Sequence, residues 1–165
     1  MATAPSINRD WIAAEFSKGI DAEQSLHDDA LATAQSPPDP AFGVLYHEIA
    51  EADKRHIAAI ETIAARYGHV PSQGGSGGVS GALGRLKQKV SEIGSTPLQV
   101  IEQDMLAKAS AIHWMTAWLG AFEAIGDAES ARELASLLTE EKAHHDALQQ
   151  GFNRLVARGA GATTA

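Results

Sequence analysis

One break dominates this sequence. From Gly68 to Gly81 the chain reads GHVPSQGGSGGVSG, six glycines in fourteen residues, a composition that behaves as a flexible linker. It lacks the Gly-Lys-Ser/Thr ending of a phosphate-binding loop. On either side lie long stretches in which apolar residues recur every three or four positions, the period of a helix that buries one face. Each flanking half holds two such stretches separated by only a few residues, at Ser36-Pro37-Pro38-Asp39-Pro40 and at Gly126-Asp127. A connection that short forces its two helices to run antiparallel. The central connection, Gly68 to Thr96, is long enough to do something else. A 28-residue helix is about 42 Å long, and about 12 extended residues span that distance at roughly 3.3–3.6 Å each. The chain is therefore expected to be all-α: two antiparallel hairpins joined by one long crossover that runs the length of a four-helix bundle.

The helix ends carry their own signals. The first helix is expected from about Asn8 to Ala34, with Ile12, Phe16, Ile20, Leu26 and Ala30 on one stripe and Glu23 among them. The second runs from Pro40, preceded by Asp39 as a cap, to Tyr67, with Gly68 as its stop. Its seam is Tyr46, Ile49, Asp53, His56, Ile60, Ile63 and Tyr67. Thr96-Pro97 opens the third, whose seam is Ile101, Met105, Lys108, Ile112, Met115, Leu119 and Phe122. The fourth spans about Ala128 to Ala157, with Leu134, Leu137, Glu141, His144, Leu148, Phe152 and Leu155. A short amphipathic helix is expected inside the crossover, with Leu83, Leu86, Val90 and Ile93 on one face. Residues 1–7 and 158–165 read as tails around a bundle of residues 8–157, with 68–96 as the crossover.

Several functions are excluded by what the chain lacks. There is no cysteine, so disulfides, thiolate metal sites and cysteine nucleophiles are absent. The net charge is −8, with no basic stripe to meet a phosphate backbone, so no nucleic-acid partner is expected. The longest apolar stretch, from Ala111 to Gly126, is interrupted by His113 and Glu123 and is shorter than a membrane span. The N-terminal MATAPSINRDW has neither the basic nor the apolar region of a signal peptide, and a cytoplasmic location is expected. Met115 and the tryptophans read as core residues, and His47 and His145 as surface ones.

Two mid-helix motifs match. Asp53-Lys54-Arg55-His56 and Glu141-Lys142-Ala143-His144 each place a carboxylate three residues before a histidine, so both side chains of a pair share one helix face. Ionisable groups in an apolar seam are costly unless paired or metal-bound. Carboxylates and imidazoles from facing helices are the way bundle cores hold iron or manganese pairs. The candidate metal ligands are Glu23, Asp53, His56, Glu141 and His144, with His27 and His113 as further candidates. A haemerythrin pattern is absent, because only His47-x-x-x-Glu51 resembles it.

The stretch EIAEADKRHIAAIETIAARYGHVP resembles the second helix of rubrerythrin and other ferritin-like proteins. AIHWMTAWLGAFEAIGD and LLTEEKAHHDAL are similar to the last two helices of the YciF-type ferritin-like stress proteins. The resemblance covers roughly residues 10 to 157. It implies a ferritin-like four-helix bundle and a carboxylate-bridged dimetal site that handles oxygen, peroxide or iron. One departure is plain. Where those stress proteins carry Glu-His-Tyr-Glu, this chain has Ile112-His113-Trp114-Met115, so the third helix offers no carboxylate at the centre. Glu102 and Asp104 lie about two turns or more away. One ion of iron or manganese is therefore expected rather than two, with slow or absent oxidase activity. The alternative is a non-catalytic bundle whose metal site is vestigial, with Glu23, Asp53 and Glu141 paired to the histidines and function carried by oligomerisation or a partner. Lys108 is expected either to snorkel or to pair with a carboxylate such as Glu23. Trp114, Trp118, Leu119 and Phe122 spread over more than one face of the third helix, which predicts a homodimer.

Overall fold

The computed structural model describes residues 8–70 and 96–161. Four long helices account for nearly all of them: α1 (Arg9–Gln35), α2 (Gly43–Arg66), α3 (Pro97–Ile125) and α4 (Ala128–Gly159). No strand occurs among the described residues. The described residues are all-α, as their seams require. The expected crossover helix around Leu83 to Ile93, and the outermost tail residues, lie outside the described residues.

The ends follow from local chemistry. Asn8 caps α1 by accepting from the Trp11 N–H. Asp39 caps a single 3-10 turn, Pro40–Phe42, rather than α2 itself, so the α-helix proper begins three residues later than proline placement suggested. Thr96 and Gln99 form a reciprocal capping box on α3, with Pro97 at the first position. Gly126, at φ +79°, ends α3 in the left-handed region that glycine enters without strain, and Asp127 at once caps α4 through the Ser130 N–H. Helix α4 runs two residues past the expected Ala157. Its Arg158 belongs to the helix and binds Asp39 at 2.7 Å, so it is not part of a tail.

Helix α1 packs along α2 and α3 along α4, while α2–α4 and α1–α3 meet more sparingly. The core has two apolar parts. One gathers Ile12, Phe16, Ile60, Ile63, Met115, Trp118, Phe122 and Leu134. The other gathers Ala30, Phe42, Tyr46, Ile49, Ile101 and Leu148. Burying each large side chain contributes about 1.5–3 kcal/mol. On every helix the residues between these two clusters are polar: Glu23, Asp53 with His56, Lys108, and Glu141, all buried.

The aromatic residues bear on two expectations. Trp118 and Phe122 are buried, and Trp114 and Leu119 pack half-buried against the same cluster, with Phe16 of α1 meeting both tryptophans at 4.9–5.1 Å between ring centres. Part of the apolar face behind the homodimer expectation thus packs against Phe16 of α1 in the same chain. Trp11 is not a core residue: it is 55% exposed and leans its ring on Trp118.

Candidate metal centre

The polar layer is built from one position per helix, plus a second on α2. One ligand-type atom from each of Glu23, Asp53, His56 and Glu141 lies within 4.8 Å of all the others. Donors at about 2.0–2.2 Å from one ion sit at most about 4.0–4.4 Å apart, so these four residues could hold a metal ion if their side chains closed inward. Each of the four also keeps one buried atom without a hydrogen-bond partner: Glu23 Oε2, Asp53 Oδ2, His56 Nδ1 and Glu141 Oε2. Buried polar atoms are rarely left that way, because each costs about 1–3 kcal/mol.

Lys108 fills the remaining space. Its Nζ donates to Asp53 Oδ1 at 2.5 Å and to Glu141 Oε1 at 2.8 Å. The expectation that it pairs with a carboxylate holds, but the partners are these two and not Glu23. His56 is held from both sides. Its Nε2 lies 3.3 Å from Glu140 Oε2. Its Nδ1 lies 3.1 Å from Glu141 Oε1 and 3.8 Å from Glu23 Oε2, close enough for attraction but without hydrogen-bond geometry in either case.

Burial and charge pull these groups apart. Burial raises Glu23 above the ordinary carboxyl range. It also lifts Asp53 to about 7, against the opposing pull of Lys108. Burial would lower His56, but Glu141 and Glu23 outweigh it and push the imidazole up to about 10. Burial likewise opposes the Lys108 charge, and Asp53 and Glu141 more than restore it. Glu141 ends below its usual value, because His56 and Lys108 overcome its own burial. Metal-free, the layer is thus a network of two cations facing three carboxyl groups.

The other candidates stand apart from the four. His144 does not join them. It is half-buried and lines an open groove with His47, Glu48, Glu51 and Arg55, and burial together with the Lys108 charge lowers its pKa. His27 spends its Nδ1 on the Ala50 carbonyl at 2.8 Å, tying α1 to α2. His113 is exposed. Asp104 accepts from the Tyr46 hydroxyl at 2.7 Å. Sequence reasoning missed Glu140, which bridges Arg55 at 3.0 Å and His56. Its position one residue before Glu141 was the available signal.

Comparison with known protein families, characterised proteins and solved structures returns no match. The functional reading therefore rests on the layer itself. No described helix is long and apolar enough to cross a membrane.

Proposed function

We propose that this is a ferritin-like metal-binding bundle that holds one divalent iron or manganese ion at Glu23, Asp53, His56 and Glu141, serving in oxidative or general stress defence. The observation that carries the reading is the set of four buried, unpartnered atoms, one on each of these residues. A single cation held among these four residues would offer such atoms a partner. The formal charges then close: three carboxylates give −3, and a divalent ion with Lys108 gives +3, leaving His56 neutral as a ligand must be. The Glu140 carboxylate accepts from Nε2 of His56, which leaves Nδ1 free to face the layer, the arrangement by which outer carboxylates orient histidine ligands.

Lys108 then does what a second cation does in a two-ion site. It neutralises Asp53 and Glu141 without redox chemistry of its own. An ion bound beside it supplies Lewis acidity and one-electron chemistry. The chain's residues hold that ion in a buried layer, so this reading favours binding and slow redox chemistry over rapid two-ion oxidation.

The test is elemental analysis of full-length, tag-free protein purified without chelators, paired with the same measurement on His56→Ala. One iron or manganese per chain, lost in the variant, is the expected result. A second reading, a metal-free charge network, is favoured by the two short Lys108 hydrogen bonds. It stands instead if the protein carries no metal and melts at one temperature with manganese or with a chelator.

A further inference from the structure

Each of the four residues proposed to hold the ion is at most 3% exposed, so a cation reaching the layer needs a way in. A hydrated divalent ion gives up its water where oxygen or imidazole donors replace it. The α1–α3 side offers few of them. Glu23 lines a cleft of about 140 Å³ there, but the walls from Gly19 to Trp114 are mostly small or apolar. The other carboxylate of that cleft, Glu15, is paired with Lys18 at 2.5 Å. An opening against Tyr46 and Asp104 measures only about 20 Å³, room for about one water, and the Lys108 cation lines it.

The α2–α4 side differs. A groove of about 470 Å³ is lined by His47, Glu48, Glu51 and Arg55 of α2 and by His144 of α4. His47 and Glu51 are exposed and four residues apart, so they share one face of α2. The Arg55 guanidinium is already engaged, by Glu140 Oε2 at 3.0 Å and by the Glu51 carbonyl at 3.1 Å. Both walls of the groove stand one step from a residue of the layer. On α2, Arg55 shares Glu140 with His56. On α4, His144 follows Glu141 by three residues on the same helix face. His144 lines the groove and is half-buried, yet its Nδ1 is withdrawn from solvent and has no hydrogen-bond partner.

We infer that this groove is the port through which a divalent cation is loaded into the buried layer. His47, Glu48 and Glu51 receive the hydrated ion at its mouth, and His144 hands it on to Glu141. The inference rests on the metal reading and adds the route to that site. His144 is outside the four residues whose donor atoms gather within 4.8 Å, so it serves transfer rather than residence. A path that lowers the barrier inward lowers it equally outward. The groove residues therefore set the rates of loading and release and leave the equilibrium affinity alone.

The experiment follows Mn(II) uptake by full-length, chelator-stripped protein after rapid mixing, with a fluorescent indicator reporting free Mn(II), and release into excess EDTA. His144→Leu keeps bulk and removes the donor; Glu48→Gln combined with Glu51→Gln removes the carboxylates at the mouth. Both variants are expected to load and release at least about tenfold more slowly, about 1.4 kcal/mol on the barrier, with the parent's Mn(II) content at equilibrium. Ala111→Leu, which fills the α1–α3 cleft, is expected to keep the parent's rates. So is Glu102→Gln combined with Glu123→Gln, which removes the same charge from exposed positions outside the groove. Parent rates in both groove variants, equal slowing by the Glu102 and Glu123 pair, or slowing by Ala111→Leu would overturn the inference while the metal reading stands. A lower Mn(II) content in His144→Leu would also overturn it, by making His144 a resident ligand. A parent protein that takes up no Mn(II) overturns the metal reading, and the port with it.

Discussion

Asp53 with His56 and Glu141 with His144 have the same spacing on two helices that face one layer, and they end differently. Both carboxylates are fully buried, but only the α2 histidine follows its carboxylate inward. The spacing cannot be the cause, since three residues turn either helix through about the same 300°. The surroundings are. His56 meets Glu23, Glu140 and Glu141, three carboxylates that welcome a donor or a positive charge. His144 would enter beside Lys108, where burial and then the Lys108 charge depress its protonation. It lines the groove with His47 and Glu51 instead, half-buried and with its Nδ1 buried without a hydrogen-bond partner. A motif repeated in sequence thus places one histidine within the buried layer and one at its margin, where Lys108 already supplies a positive charge.

The largest effect is expected from removing that lysine. Lys108→Met leaves Asp53 and Glu141 buried without their cation, and breaking a buried pair this way costs about 3–5 kcal/mol. Chemical denaturation in the presence of a chelator should show the loss. Manganese should then restore more stability to this variant than it adds to the unaltered protein, since two vacated carboxylates become available to cations. A variant as stable as the parent in chelator would mean that Lys108 does not hold the layer together.

Next comes the contrast between the histidines themselves. His56→Ala should weaken metal binding by more than the roughly 10–100-fold typical of losing an outer partner, while Glu140→Gln should fall within that range and His144→Ala should leave it unchanged. Isothermal titration with Mn(II) measures all three. Equal losses from the two alanine variants would restore the symmetry that the sequence suggests and the structure breaks.

Much of this arrangement was legible beforehand, and the misses have causes. The proline, aspartate and glycine signals placed α1, α3 and the α3–α4 turn to within a residue or two, because caps act locally. Every position of the α2 seam from Tyr46 to Tyr67 is buried as its period demands. Lys108 was visible as a cation in an apolar seam, but which carboxylates it meets depends on how α2 and α4 sit across from it. The same holds for His144. A helical period says which face a residue shares, and the charge waiting on that face belongs to other helices. Trp11 was misread for a related reason: it lies at the first turn of α1, where the partner helix covers only one side of the ring.

A smaller test concerns what fixes the separation of α4 from the α2 hairpin, and so the outward path of His144. Gly151 lies under the ring of Phe42, where an added Cβ would meet the ring at 2.2 Å. Phe42 is buried in the second apolar cluster and has little room to retreat. Gly151→Ala gains about 1 kcal/mol of helix propensity, yet overpacking of this kind costs about 1–3 kcal/mol. A net loss of stability, read as a lower Tm, is expected. A raised Tm would show that Phe42 yields easily and that this end of α4 is free to shift.

The smallest effect lies at the opposite end, where α2 finishes against the start of α4. Asp127 accepts from the Tyr67 hydroxyl at 2.6 Å and from the Ser130 N–H at 3.1 Å, with Arg66 nearby. Its slight burial would raise its pKa, but these donors and the Arg66 charge prevail and hold the carboxyl below its ordinary value of 3.8. A carboxyl depressed on folding stabilises the fold fully above that ordinary value, and the contribution disappears as the pH falls through the lower, folded one. Asp127→Asn keeps an acceptor for the helix cap and removes only the charge. The variant should therefore be less stable than the parent at pH 7 by no more than about 1 kcal/mol, the scale of a cap. The gap should narrow as the pH drops below 3.8. Urea denaturation of both proteins across that range reads the difference directly. A gap that stays constant with pH would assign the effect to lost cap geometry, and the link between α2 and α4 at this end would then owe nothing to the Asp127 charge.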